Sequence, residues 1–263
     1  MISEKFYLKK SFDASKINWK NYKPNILSDM HEGIIRMNAA VEYVSLPAGI
    51  SLIKQIPQND IDLHSFIVKW IHDEHKHAFV LKEYASRFLP KAEVTVEEFE
   101  EVAIPFSDSP LSIAETMALH MCSELSVISW YQKMAEWHEE PLIKEIYQNF
   151  IIDESNHAIA FKQFMKKYYT EENKKGVLAI FQLFLTKKYF ISVKMASTLD
   201  IEKKSVLSRL PNPYLFDHLF ENILRFNEKD QIKIENNILK IASNLCGQNF
   251  KNKEELKIYR KSL

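Results

Sequence analysis

The sequence predicts an all-α protein, and three observations carry that expectation. Only 4 of the 263 residues are glycine, and the period-two alternation that marks strands is scarce. The pattern Asp73-Glu74-x-x-His77 recurs as Asp153-Glu154-x-x-His157. Residues three apart share one face of a helix, so each copy aims a carboxylate and an imidazole at one point. Upstream of each copy, an apolar stretch carries a single carboxylate: Glu42 in Asn38-Ala-Ala-Val-Glu-Tyr-Val44 and Glu124 in Met121-Cys-Ser-Glu-Leu-Ser-Val127. Glu42 lies 32 residues before Glu74, and Glu124 lies 30 before Glu154. The midpoints fall in the turn-like runs Pro57-Gln-Asn-Asp60 and His138-Glu-Glu-Pro141. At about 1.5 Å per residue, both ligands of each hairpin then stand roughly 23 Å from their turn and face each other. The expected architecture is a four-helix bundle made of a duplicated hairpin, with a long crossover between the copies and extra C-terminal helices.

Taken in order, residues 1–25 form a leader with anchoring aromatics (Phe6, Tyr7, Phe12, Trp19, Tyr22) that ends at Pro24. Residues 26–170 form the bundle. A first helix is expected from Ile26 to Ile56, kinked at Pro47, which lacks a backbone donor. Gly49, two turns beyond Glu42 on its face, either leaves room for a substrate beside the metals or lets two helices approach closely. A second helix runs from a cap at Asn59 or Asp60 to Leu89 and stops before Pro90. Residues 90–110, with one short helical pattern at Val96–Val102, are long enough for a crossover of more than about 60 Å. Ser109-Pro110 reads as the cap of a third helix to Trp137, and the fourth runs from Pro141 to Tyr169. Residues 171–263 form a C-terminal extension with helical patterns at about 173–197, 213–227 and 229–246.

Formal net charge is zero, so nothing general points to nucleic acid. Residues 170–263 hold 17 Lys+Arg against 11 Asp+Glu, which suits either a solvated helical exterior or an acidic carrier or redox partner. Cys122 and Cys246 cannot build a disulfide framework or a Cys-x-x-Cys site, and Met1-Ile-Ser-Glu-Lys-Phe-Tyr7 has no signal-peptide core; a cytoplasmic protein is expected. The most apolar run, Gly176 to Leu185, is shorter than the roughly 20 residues of a membrane span.

Four carboxylates (Glu42, Glu74, Glu124, Glu154) and two imidazoles (His77, His157) can hold two metal ions and leave positions open. Hard oxygen ligands with imidazole and no thiolate suit iron or manganese better than zinc. A ligating histidine usually gives its second ring N–H to a carboxylate. Asp73 and Asp153, each four residues before a histidine, are expected in that role, toward their own repeat or the opposite one. Trp70 and Phe150, one turn before each pair, and Tyr131, two turns after Glu124, would border the metals and exclude water. His120, one turn before Glu124, is either a further ligand or donor or a core histidine; His72 and His75 point elsewhere.

A Glu from each of two helices and Glu-x-x-His from each of two others is the ligand set of four-helix di-metal carboxylate proteins. Together these residues resemble the ferritin-like di-iron carboxylate superfamily over roughly residues 26–170. The Asp-Glu-x-x-His form and the C-terminal helices are more similar to its oxygen-activating enzymes: acyl-carrier-protein desaturases, multicomponent monooxygenases and p-aminobenzoate N-oxygenases. The resemblance implies two iron ions, or manganese with iron, and O2 and two electrons from an external donor. It implies hydroxylation, desaturation or N-oxygenation of a small apolar or aromatic substrate, free or carrier-bound; a homodimer is compatible with it. The alternative is a non-enzymatic iron or manganese protein that stores metal or binds a ligand. This chain departs from the N-oxygenases at Phe150, where they carry a further histidine, and from ribonucleotide reductase subunits at Leu81, where they usually carry a tyrosine. Two cysteines cannot build the extra module of rubrerythrins, and storage ferritins end soon after the bundle.

Overall fold

Local chemistry sets the helix ends in the computed structural model, which describes residues 11–24, 27, 29–43, 45–89, 111–186 and 228–263. Every regular element among these residues is helical. Helices α1 (Asp29–Tyr43) and α2 (Ser45–Gln55) occupy the stretch expected as one kinked helix. Pro47, in the first turn of α2, has no N–H for the Tyr43 carbonyl, and the Ser45 hydroxyl donates to the Glu42 carbonyl at 2.7 Å. Helix α3 (Ile61–Phe88) is capped by Asp60, whose side chain accepts from the Leu63 N–H.

Helix α4 (Ile113–Trp137) opens with a reciprocal cap: Ser112 accepts from the Glu115 N–H, and the Glu115 carboxylate accepts from the Ser112 N–H. That pair satisfies two orphan donors and sets the start three residues later than Ser109, which lies with Pro110 outside the described residues. Helix α5 (Pro141–Tyr168) has proline at its first position, and Glu140 accepts from the Leu142 and Ile143 N–H groups. Helices α6 (Lys174–Thr186), α7 (Glu228–Cys246) and α8 (Lys253–Ser262) follow. The pattern expected at 173–197 is helical through Thr186. Its remainder, the pattern at 213–227, Val96–Val102, Phe6, Tyr7 and Pro90 lie outside the described residues. Helix α8 was not among the expected patterns; it presents Leu256, its one fully buried side chain, and Tyr259 to the first apolar cluster.

The core is two apolar clusters separated by a polar layer. One contains Leu63, Phe66, Ile67 and Trp70 of α3, Met117 and Met121 of α4, and Phe161 and Phe164 of α5. The other contains Ile34 and Ile35 of α1, Leu81 and Tyr84 of α3, Trp130 and Met134 of α4, and Ile146 and Phe150 of α5. Between them lie buried Glu42, Asp73, Glu74, His77, Glu124, Asp153, Glu154 and His157.

This order fixes the helix directions. Helices α3 and α4 both run from the first cluster to the second, and α1 and α5 run the other way. The end of α3 and the start of α4 are thus separated by about the length of α4, roughly 37 Å. The crossover expected at residues 90–110 lies outside the described residues. The C-terminal helices close the first cluster through Val177, Leu178, Phe181, Ile238, Leu239 and Leu256. Phe12 and Ile17 of the leader close the second. No helix among the described residues is long and apolar enough to cross a membrane.

Candidate metal centre

The heptad logic that buries one stripe of each helix also buries the acidic residues that interrupt the stripe. Glu42 sits at the end of α1, Glu74 and His77 in the middle of α3, Glu124 in the middle of α4, and Glu154 and His157 in the middle of α5. All six are buried, and they converge as two overlapping groups. Glu42, Glu74, His77 and Glu154 each offer a ligand atom within 4.8 Å of the others, and so do Glu74, Glu124, Glu154 and His157. Glu74 and Glu154 belong to both groups. Either group can hold a metal ion.

Imidazole orientation follows from the aspartates, and the pairing crosses between repeats. His77 Nε2 lies 3.1 Å from Asp153 Oδ2, and His157 Nε2 lies 3.3 Å from Asp73 Oδ2. Nδ1 of each ring is thereby turned to the carboxylates: His77 Nδ1 is 3.1 Å from Glu154 and 3.5 Å from Glu42, and His157 Nδ1 is 3.0 Å from Glu74 and from Glu154. One lysine joins the two aspartates. Lys76 Nζ lies 3.0 Å from Asp73 Oδ1 and 2.7 Å from Asp153 Oδ2. Lys69 adds a contact of 2.6 Å to Asp73. The leader completes the arrangement: the Ser11 hydroxyl and the Phe12 N–H donate to Asp153 Oδ1 at 2.9 and 3.0 Å.

Electrostatics mark the centre as a place that needs cations. Burial, then the Glu74 and Glu154 charges, push the Glu42 carboxyl well above its ordinary value. Burial, then Glu154 and Glu74, do the same to Glu124. Burial opposes charge on His77 and His157, but hydrogen bonds to Asp153 and Asp73 and the glutamates around them raise both imidazoles. Asp153 is lowered to about 2, because His77 and Lys76 outweigh its burial. Four buried atoms, Glu42 Oε2, Glu74 Oε1, His77 Nδ1 and Glu154 Oε1, meet only one another or His157 Nδ1, at 3.0–3.5 Å, and none makes a well-formed hydrogen bond. Buried polar atoms need well-formed partners, and a divalent cation among these four would satisfy them together. The donor set therefore fits hard divalent ions.

The expected neighbours divide. Trp70 donates its indole N–H to Glu124 Oε1 at 2.9 Å, and Phe150 stacks on the His77 ring at 4.1 Å. Tyr131 is buried one layer away, stacked on Tyr147 and edge-on to Phe150. His120 belongs to neither group; its ring lies between Trp70 and Phe161, and burial pushes it down to about 4. Gly49 marks a close helix approach: a Cβ there would overlap the Ile71 side chain, so the space is filled by α3 and is not open to a substrate. His72 is exposed and His75 stacks on Tyr43. A cleft of about 270 Å³ lies instead between α4, α5 and α7, lined by Leu125, Lys162, Lys166, Lys240 and Ile241 among others.

Lys69, Lys76 and Ser11 were not anticipated, and Phe12 was expected only as an anchoring aromatic of the leader, not as a backbone donor to Asp153. The spacing of Lys69 and Lys76, four before and three after Asp73, was a visible signal. Comparison with models of protein families, with curated proteins and with solved structures gives no match.

Proposed function

We propose that the chain is a ferritin-like di-iron carboxylate enzyme. In this reading it uses O2 and an external electron donor to oxidise a small apolar or aromatic substrate, free or carrier-bound. The observation that carries this reading is the pair of overlapping ligand groups that share Glu74 and Glu154. A single structural ion needs four ligands and has no use for six buried ones in two sets.

Glu42 and His77 would hold one ion and Glu124 and His157 the other, with Glu74 and Glu154 between them. Two ions bound there supply the redox chemistry: O2 accepts four electrons, two from the donor and two from the substrate. The protein's own groups supply position and charge. Four carboxylates balance two divalent ions when both imidazoles are neutral. Asp153 and Asp73 accept the Nε2 protons of His77 and His157, which turns Nδ1 of each ring toward the glutamates as the ligating nitrogen. Phe150, Trp70 and Phe161 surround the ligands with rings and exclude water. Manganese in one position satisfies the same donors.

Anaerobic loading with Fe(II), followed by O2, tests the proposal. About two irons per chain and a transient absorbing species on mixing are expected, from the ligand count. Uptake of a large mineral core would instead indicate storage, and one iron or none would refute a two-metal enzyme.

A further inference from the structure

Several lysines of the bundle are matched by acids. Lys133 of α4 lies 3.2 Å from Glu136 and 3.0 Å from Asp230, and Lys167 of α5 lies 2.7 Å from Asp60. The cleft of about 270 Å³ between α4, α5 and α7 is built differently. Lys162 and Lys166 line it from α5, four residues apart, a like-charge spacing that weakens a helix. Facing them, α7 contributes Asn237, Lys240, Ile241 and Asn244, whose offsets of three, four and seven place them on one helical face. Among the described residues, none of the three lysines or two asparagines makes a side-chain hydrogen bond or ion pair, and no acidic residue lines the cleft. Lys162 is half-buried, and Lys166 and Lys240 are exposed. Leu125 and Ile241 give the cleft an apolar lining and pack against the first cluster.

We propose that this cleft binds a small organic anion, a carboxylate or phosphate carried on a short apolar group. Ammonium groups gathered in one concavity repel one another, and an anion between them converts that repulsion into attraction. Ammonium and amide N–H groups both donate to carboxylate and phosphate oxygens, and such charge-assisted bonds are the stronger class. The apolar group lies along Leu125, Ile241 and the methylene stems of the lysines. Size selects the occupant. The cleft falls just below the roughly 300–1,000 Å³ of sites that enclose drug-sized ligands, so it takes a head group and a few carbons. An acidic protein would need about 800 Å² of matched surface on each partner, far more than this concavity offers. The assignment does not require bound metal and stands or falls apart from the two-metal reading.

Calorimetric titration of the full-length protein with hexyl phosphate, hexanoate, inorganic phosphate and hexylammonium tests the site. One hexyl phosphate or hexanoate per chain is expected to bind, the tighter of the two identifying the head group. Inorganic phosphate should bind more weakly than hexyl phosphate, and hexylammonium should not bind. The double substitution Lys162→Met with Lys166→Met is expected to weaken binding by about 10-fold or more. Lys82→Met removes the same charge from the position that matches Lys162 in the first hairpin, 80 residues earlier, and should leave binding unchanged. If the double variant does not fold, Lys240→Met on the opposite helix should give a loss of the same kind. Unaltered binding in the cleft variants, or an equal loss in Lys82→Met, would show diffuse attraction and overturn the proposal. Inorganic phosphate binding as tightly as hexyl phosphate would overturn an organic ligand. Binding of a polyglutamate peptide without either organic anion would overturn it in favour of an acidic protein partner.

Discussion

The first hairpin (α1, α2 and α3) and the second (α4 and α5) present the same ligands from different scaffolds. In the first, Pro47 follows Glu42 by five residues and leaves the Tyr43 carbonyl without its helical donor; in the second, α4 carries no proline and runs unbroken through Glu124. Lys76 of the first hairpin reaches both aspartates, and the second has Asn156 at the matching position. Among the described residues of the leader, Ser11 and Phe12 donate two hydrogen bonds to Asp153, and the Ser11 hydroxyl lies 3.3 Å from Asp73. What repeats is the set of carboxylates and imidazoles that faces the candidate metal centre. What differs is the chemistry that holds it, which makes the halves separable by experiment.

The largest effect should come from a residue that both halves share. Glu154→Ala is expected to lose both ions in a metal count after dialysis, whereas Glu42→Ala and Glu124→Ala should each retain one. A Glu154→Ala protein that keeps two ions would contradict the shared role. Next comes the leader, which serves mainly the His77 side. Phe12→Ala removes a ring that is 8% exposed and edge-on to Phe150, and should lower stability by roughly 3 kcal/mol in chemical denaturation.

Replacing the orienting aspartates should separate the halves directly. Asp153→Asn is expected to weaken the ion beside His77, and Asp73→Asn the ion beside His157, each by about 10- to 100-fold in a calorimetric titration. Equal losses at both ions from either substitution would show that the crossed pairing does not direct affinity.

The smallest effect separates the two hairpin turns. Asp60 in the first turn is ion-paired with Lys167, while His138 in the second is fully buried with neither ring nitrogen hydrogen-bonded. Burial, and secondarily His31, lower the His138 imidazole to about 3. An unfolded histidine titrates near 6.5, so as pH falls the unfolded chain takes up this proton first. The contribution is therefore complete above about pH 6.5 and is lost progressively toward pH 3. Relative to His138→Phe, the protein with His138 should lose about 2 kcal/mol between pH 7.5 and 5; parallel pH profiles would contradict this.

The six converging residues were legible in the sequence because a helix turns a spacing into a direction. Asp-Glu-x-x-His repeated 80 residues apart, each copy following a lone glutamate in an apolar stretch, needs no knowledge of loops to be read. The crossing of aspartates between repeats was legible only as one of two options, since spacing places Asp73 near a histidine without saying whose. Contacts made across long separations left no period to detect. Ser11 meets Asp153 across 142 residues and Trp70 meets Glu124 across 54, and neither residue type announces its partner. Gly49 misled because a missing side chain reads equally as space or as contact, and only the position of Ile71 decides. Helix α8 escaped because its apolar contribution to the first cluster is short, Leu256 with Tyr259 three residues on, amid charged side chains.

Anomalous diffraction from crystals soaked in Mn(II) would examine the claim on which the rest depends. Two peaks are predicted within the polar layer between the two apolar clusters, one beside Glu42 and His77 and one beside Glu124 and His157, with Glu74 and Glu154 touching both. A single peak, or manganese bound only outside that layer, would contradict it.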